Sequence, residues 1–398
     1  MSTIIEQAAI AAQQGNWSLL HHCLQGLYDQ KNTTESQSLD ESDRTHLLNL
    51  ALQAIETGDF QERWEAAKLF GTIGQEAIAP LIELLQDEEA DPEARWFAGR
   101  ILGQFNDPIV VISLVKLLTS AEDEDLAEMA AQALANIGSS AINALSDLLI
   151  KEDSRALTVQ ALAHIRHPET IPSLLSVVKD PSPAIRTSAI EALSSFYDSR
   201  IPPILIDALK DTSAAVRKEA VIGLGLRAHQ LKDFDLVNIL KPLLYDFNLD
   251  VCQEAAIALG RLGSDAAADA LFHVLKSPVT PSPLTIEIVR ALSWFGSPKA
   301  IEYLHEGLYS ASESICQEIV SVLGRVESLR LKSRATQILI DFLNSDYSTA
   351  QKTPIKQAIA LSLGQLGQPQ AIDSLIKLST NSEEGVQLHA MAALKKFS

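Results

Sequence analysis

Two cysteines in near-identical surroundings could carry metal or cluster chemistry. Cys252 lies in a Val-Cys-Gln-Glu run and Cys316 in an Ile-Cys-Gln-Glu run. A thiolate can ligate a metal or a cluster. The two residues occupy equivalent places two repeats apart, and a stacking distance of about 10 Å per repeat separates them by about 20 Å, too far for a disulfide or a shared metal. A functional role would therefore need a cluster or cofactor from a partner or a second copy of the chain; otherwise each is a small, half-buried structural residue.

The third cysteine lies beside two histidines. Cys23 follows His21 and His22 directly. Consecutive residues of a helix point to different faces, so we expect no metal site here and no intrinsic cofactor. Three cysteines without a CxxC pair are typical of a reducing compartment.

A second group of candidate residues combines arginine with aromatic rings. Arg63 and Trp64, and then Arg95, Trp96 and Phe97, take the same place in two successive repeats. An exposed surface of Arg and Trp is typical of protein interaction sites and of sites for amphipathic ligands. We therefore predict that these five residues contact a partner or ligand. The alternative is that the rings pack in the core of a terminal repeat.

Arginine recurs at this position along the chain. It follows an aspartate by six residues in two neighbouring copies, Asp180 with Arg186 and Asp211 with Arg217. We expect each Arg to hydrogen-bond across the turn within its repeat and to its neighbours, forming a structural ladder. Several other repeats replace the Arg, two of them with the cysteines described above.

Short amphipathic helices must position all these residues. The clearest copies begin at Ile171 and Ile201, each with an Ile-Pro start and an Ala-rich apolar segment further on. The pattern recurs about every thirty residues. Each copy predicts two helices joined by a turn, and neither helix can bury its apolar face without a neighbour. Proline in first turns and Ile-Gly or Leu-Gly pairs mark the helix ends.

This pattern predicts an all-α fold without strands. We expect an α-solenoid of about eleven two-helix repeats over residues 43–398, preceded by a helical cap over 1–30 and a flexible polar linker over 31–42.

The charge balance restricts the classes of partner. Fifty-one acidic residues against 32 basic ones give a net charge of −19, which repels phosphate backbones and anionic lipid surfaces. We therefore expect neither nucleic acid nor membrane as a partner. The densest acidic runs, 87–93 and 122–128, either keep a long solenoid in solution or dock a basic partner. Without a long apolar run or a signal-peptide pattern, we expect a cytoplasmic protein.

The two-helix unit, the period and the Asp-to-Arg spacing resemble HEAT repeats. Segments 63–71 and 95–103, in which aromatic and small residues follow an Arg and a Gly ends the run, resemble the HEAT-like repeat of cyanobacterial phycobiliprotein (PBS) lyases. That family includes bilin lyases, chaperone-like relatives and an adaptor that pairs with an A-type iron–sulfur carrier. The uninterrupted repeats with two Cys-Gln-Glu copies are most similar to the adaptor.

The resemblance implies a protein-binding adaptor or chaperone. Its groove would hold an A-type iron–sulfur carrier or a phycobiliprotein subunit, and any iron–sulfur cluster or bilin would be shared with that partner. The alternative is a phycobilin lyase or lyase-isomerase that attaches a bilin to a phycobiliprotein cysteine; the two propionates of a bilin favour converging Arg and aromatic residues.

Signatures of common enzymes are missing from the chain, which has no Gly-rich phosphate loop, HExxH, GxSxG or CxxC motif. Deoxyhypusine hydroxylase, a HEAT-repeat enzyme, holds two irons with repeated His-Glu pairs. Only His305 and Glu306 match such a pair here, so we reject that activity and assign no catalytic residue.

Overall fold

The computed structural model describes residues 41–231 and 233–397, with isolated residues 7, 8, 10, 11, 14, 16, 19, 20, 22 and 23 before them. The predicted cap over 1–30 lies largely outside the described residues, as do residues 31–40 of the predicted linker over 31–42. Residues 41 and 42 belong to the first helix. Every regular element in the described ranges is helical, which confirms the all-α prediction.

The first compact unit ends at Phe196, and its described residues from 41 onward form five helix pairs. Its helices are α1 (Glu41–Thr57), α2 (Phe60–Ala67), α3 (Phe70–Ile73), α4 (Ile78–Gln86), α5 (Pro92–Leu102), α6 (Pro108–Ser120), α7 (Glu124–Ile137), α8 (Ile142–Leu148), α9 (Glu152–His164), α10 (Ile171–Ser176) and α11 (Pro183–Leu193). The short helices α2 and α3 together form the second half of the first pair. The second helices α5, α7, α9 and α11 pack in sequence against one another, as expected for an α-solenoid.

The second compact unit begins at Tyr197 and contains six helix pairs. Its helices are α12 (Ile201–Ala208), α13 (Ala214–Leu226), α14 (Leu236–Leu240), α15 (Leu249–Leu262), α16 (Asp265–Leu275), α17 (Ser282–Ser293), α18 (Pro298–Leu308), α19 (Glu313–Gly324), α20 (Leu329–Leu343), α21 (Thr353–Leu366), α22 (Ile372–Ser379) and α23 (Glu384–Leu394). Here the second helices α13, α15, α17, α19, α21 and α23 form the continuous layer.

Local signals account for the helix boundaries. Asp91 and Asp123 cap the N-termini of α5 and α7, each accepting backbone N–H groups of the first turn. At the other end, Gly263 and Gly367 follow α15 and α21 with φ of 64°, a left-handed conformation that a side chain disfavours. The repeated Leu-Gly pairs of the sequence thus mark real helix ends.

Small residues let the second helices approach closely. A Cβ atom added at Gly103 of the first unit would lie 2.9 Å from Cα of Ala133 on the next second helix. In the second unit, a Cβ atom at Gly260 would lie 2.9 Å from Cβ of Ala291. Bulkier residues here would force the helices apart. Buried Leu, Ile and Ala side chains fill the space between the two layers.

No helix within the described part of the chain combines the length and the hydrophobicity that a membrane crossing requires.

Candidate functional site

Arg63 is buried on α2 and joins its repeat to the next one. Only 4% of the residue is exposed. Its guanidinium donates to Oε2 of Glu93 at 2.6 Å, to a carboxylate oxygen of Asp91 and to the backbone oxygen of Glu56 at 3.2 Å. The bond from Arg63 holds the pKa of the Asp91 carboxyl below its ordinary value. The sequence predicts that Arg63 contacts a partner; the structure places its charge inside the stack.

The same type of link recurs at Asp180 of the first unit. Its carboxylate accepts a bond of 3.0 Å from Arg155 of the preceding repeat. Its backbone oxygen accepts a bond of 2.8 Å from Arg186, six residues later. The six-residue spacing seen in the sequence thus corresponds to a hydrogen bond from the Arg186 side chain to the backbone of Asp180. The Asp180 carboxylate instead pairs with the arginine of the preceding repeat.

The second unit repeats this arrangement around Arg217. One nitrogen, Nη1, donates to the backbone oxygen of Asp211 at 2.8 Å. The other two, Nε and Nη2, donate to the two carboxylate oxygens of Asp246 at 2.8 and 2.7 Å. Both partners of this pair are mostly buried, with side-chain exposures of 14% for Arg217 and 8% for Asp246.

The aromatic candidates of the first unit divide between core and surface. Phe97, which the sequence predicts as a contact residue with core packing as the alternative, is fully buried. Trp64 and Trp96 are half-buried. Trp96 packs edge-on against Phe97 with ring centroids 5.2 Å apart, and the more exposed Phe60 packs against Phe97 at 5.5 Å.

The cation beside Trp64 and Trp96 is Arg100, which is not among the contact residues predicted from the sequence. Its guanidinium carbon lies 4.0 Å from the ring centroid of Trp64 and 5.5 Å from that of Trp96. Arg100 follows Trp96 by one helical turn, so helical spacing could have found it. The predicted candidate, Arg95, instead donates to the backbone oxygen of Leu85 at 3.1 Å.

A groove opens beside Trp96, along the second helices of the first unit. Its volume is about 620 Å³, which suits one or two large side chains with their backbone. Phe60, Trp96 and the buried Met129 are among its apolar lining residues. Its carboxylates are Glu93, Asp123, Asp125 and Glu128, and no Lys or Arg is among the lining residues that the structure describes. We call it the acidic groove.

The carboxylates of the acidic groove differ in how they are used. Glu93 is paired with Arg63, and Asp123 caps α7 with bonds of 2.8 and 3.4 Å. Asp125 and Glu128 are exposed, and neither forms an ion pair with any other residue that the structure describes. Their repeat has Ala127 where most of the preceding and following repeats of this unit have the ladder arginine.

The repeat pattern itself matches a known family model, that of HEAT repeats, over residues 46–135, 88–156, 151–212 and 201–283. The chain belongs to the HEAT-repeat family. A PBS lyase HEAT-like repeat also matches this HEAT protein, over residues 355–381. That match lies near the C-terminal end, whereas the residues that suggested the resemblance lie in 63–71 and 95–103.

Two of the solved structures compared with this chain show the same architecture. Importin beta, crystallised in an ammonium sulfate condition, is 16% identical, with a TM-score of 0.55 over 98% of this chain and 59% of its own. Kap95p, from a structure with RanGDP, is 11% identical, with a TM-score of 0.52 over 96% of this chain and 58% of its own. Human deoxyhypusine hydroxylase is 22% identical over 64% of this chain and 95% of its own, with a TM-score of 0.30.

The two likenesses with TM-scores above 0.5 show the fold alone at these identities. The HEAT protein spans 59% and 58% of the lengths of those two chains. A search of curated proteins found no match.

Cys252 and Cys316 of the HEAT protein occupy the position of the ladder arginine. They make some of the hydrogen bonds that the arginine makes in other repeats. Cys252 donates its thiol to the backbone oxygen of Asp246 at 3.1 Å, and Cys316 donates to that of Leu308 at 3.2 Å. Their exposures are 4% and 0%. Burial raises the pKa of both thiols, that of Cys316 to about 11.

The sequence predicts that these cysteines meet a cluster or ligand of a partner, and the structure places both of them in buried positions. A buried, protonated thiol is a poor ligand and nucleophile, and no partner atom can reach either sulfur in this structure. Within the described ranges, no group of three or more His, Cys, Asp and Glu side chains is arranged to hold a metal. Cys23 is also buried, and the predicted neighbour His21 lies outside the described residues.

Proposed function

We propose that this HEAT protein is a non-catalytic adaptor that holds a partner protein in the acidic groove of its first unit. The HEAT family and the importin-like fold support a protein-binding scaffold. The observation that carries the choice of site is the combination, in one groove, of half-buried Trp96 and exposed Phe60 with the unpaired carboxylates of Asp125 and Glu128. Aromatic anchors in a concave polar surface are typical of protein interaction sites.

The partner that the family resemblance suggests is an A-type iron–sulfur carrier or a phycobiliprotein subunit. Any iron–sulfur cluster or bilin would then be held by the partner, because Cys252 and Cys316 are buried and hydrogen-bonded. The structure of Kap95p with RanGDP is a case in which a chain of this fold was solved with a protein partner.

A phycobilin lyase is the second hypothesis, and the match at 355–381 is what favours it. Such an enzyme must hold two propionates, for which Arg is the preferred residue. Arg63 is already paired with Asp91 and Glu93, and the acidic groove is lined by carboxylates. The charges of the groove therefore support the adaptor.

The test is a binding assay with purified full-length protein. It is mixed separately with an A-type carrier and with an apo-phycobiliprotein subunit, with and without free bilin, and each mixture is followed by light scattering after gel filtration. We expect a stable complex with one of the two proteins and no covalent bilin on the subunit. Covalent transfer that requires the HEAT protein would establish the lyase, and no complex with either protein would refute an adaptor for these two partners.

Two variants connect the complex with the groove. Trp96→Ala removes the aromatic anchor and is expected to weaken the complex about tenfold or more. Trp294→Ala removes a half-exposed Trp from the second unit and serves as the matched control, with affinity unchanged. Equal weakening by both variants would contradict the assignment to the groove, and circular dichroism checks that both remain folded.

A further inference from the structure

We infer that the segment entering the acidic groove is a basic peptide segment with one large apolar anchor residue. This inference rests on the proposed function and specifies the chemistry of the partner at that site.

The charge of the groove restricts the segment that can enter it. Asp123, Asp125 and Glu128 lie within one and a half turns at the start of α7, and all three side chains line the groove. Glu93 adds a fourth carboxylate from α5, although Arg63 partly neutralises it. Like charges along a concave surface with a low-dielectric wall reinforce one another and attract the opposite charge. With no Lys or Arg in the lining, the charge that complements this groove is positive.

The repeat that contains α7 differs from others in its own unit. Elsewhere, an arginine of the preceding repeat neutralises a carboxylate at the turn between helices, as Arg63 does for Asp91 and Arg155 for Asp180. At the repeat that contains α7, no arginine described in the structure neutralises a carboxylate in this way. Arg95 of the preceding repeat donates to the backbone of Leu85, and Ala127 replaces the arginine of the repeat itself. The carboxylates of Asp125 and Glu128 are therefore left for an external cation.

The acidic groove also has room for an apolar part of the segment. Trp96 and Met129 line the groove next to the carboxylates, so one large apolar side chain can be buried while flanking Lys or Arg side chains reach the rim. Met129 lies over Gly99, where an added Cβ atom would come within 2.3 Å of the methionine Cε atom. The glycine thus makes room for a flexible side chain that can adjust to different anchors.

The test uses a fluorescein-labelled probe peptide of roughly twelve residues with several Lys and Arg and one central Phe. Two control peptides replace either the basic residues with Glu or the Phe with Ser. Anisotropy is measured with the full-length protein at about 0.05 M and about 0.3 M salt, since exposed charge pairs are screened over this range. We expect the basic peptide with Phe to bind most tightly, and its affinity to fall as salt rises. Equal binding of the Glu peptide would overturn the inference.

Charge-removing variants locate the binding. Asp125→Asn with Glu128→Gln removes the two unpaired carboxylates and should weaken the basic peptide about five- to tenfold, at a few-fold for each exposed charge. Glu152→Gln with Asp153→Asn is the matched control, since both residues are exposed in the first turn of the neighbouring helix α9 and do not line the groove. Equal weakening by the two variants would show attraction to the whole acidic surface and overturn the inference.

The two proposals fail in different ways. If no probe peptide binds but the carrier or the phycobiliprotein subunit still forms a complex, the basic segment is refuted and the adaptor stands. If the probe binds in the groove but neither protein forms a complex, the named partners are refuted while the basic chemistry of the groove is supported.

Discussion

Arg217 and Asp246, which lie 29 residues apart in the sequence, form a bidentate ion pair with N–O distances of 2.8 and 2.7 Å. The pair joins α13 to the turn before α15, so one arginine connects two consecutive repeats while also donating to the backbone of its own repeat. The stack is thus joined by a ladder of side chains as well as by its apolar core.

Breaking that pair should destabilise the second unit. Arg217→Met leaves the mostly buried Asp246 carboxylate without its partner, at an expected cost of about 3 kcal/mol in the free energy of unfolding. Urea unfolding and hydrogen exchange of α13 and α15 measure the effect. Arg200→Ala breaks an exposed pair with Asp198 and should change the stability little, because solvent screens exposed charges. A similar cost for both variants would show that burial of the pair is unimportant.

The thiol of Cys316 should make stability decrease at high pH. Burial raises its pKa from 9.0 to about 11 in the folded protein, so the folded state holds this proton more tightly than the unfolded state does. Its contribution to stability is complete below pH 9 and is lost as the pH rises from about 9 to about 11. Chemical denaturation at several pH values measures this.

A Cys316→Ala variant is the control for that titration, because it removes the thiol and keeps the other groups that titrate at high pH. Its stability should fall less steeply over the same range. In native protein, Cys252 and Cys316 should react with a thiol reagent at least tenfold more slowly than in urea. Rapid reaction of either native thiol would contradict the burial seen here.

The close crossing of α5 and α7 predicts a sharp difference between two glycines. Gly103→Ala places a methyl group 2.9 Å from the Cα atom of Ala133, and backbone cannot move aside cheaply, so we expect a loss of about 1–3 kcal/mol. Gly71→Ala meets only Oε1 of Gln104 at 3.9 Å and should be neutral or slightly stabilising. Thermal unfolding of both variants compares them, and equal melting temperatures would contradict the crossing.

Gly99→Ala should change binding more than stability. The new methyl group meets the far end of the Met129 side chain, which can rotate away at a cost of about 1 kcal/mol. The displaced methionine then occupies part of the acidic groove, and affinity for the basic probe peptide should fall severalfold. Anisotropy with the probe peptide measures the change, with Gly71→Ala as the control; unchanged affinity would mean that the anchor does not reach Met129.

Most of the fold could be predicted from the chain because its signals are local. The period of apolar residues, the prolines in first turns and the glycines at helix ends act within one or two helical turns. For this reason the starts of α10 at Ile171 and α12 at Ile201 agree with the pattern, and the repeat of about thirty residues requires stacking whatever the partner is. The position of the ladder arginine could be predicted from the sequence for the same reason.

Only the tertiary structure decided which charges remain free. The Asp246 carboxylate accepts hydrogen bonds from Arg217 of the preceding repeat. Which carboxylate pairs with this arginine depends on how two repeats pack and not on the six-residue spacing. The same packing buries Phe97, Cys252 and Cys316 and leaves Phe60 exposed. The spacing of residues in the sequence could not predict this difference in burial. The sequence by itself determined a stack of HEAT repeats, because helix formation and apolar periodicity are local. The acidic groove depends on contacts between residues about thirty positions apart, and these exist only once the repeats have stacked.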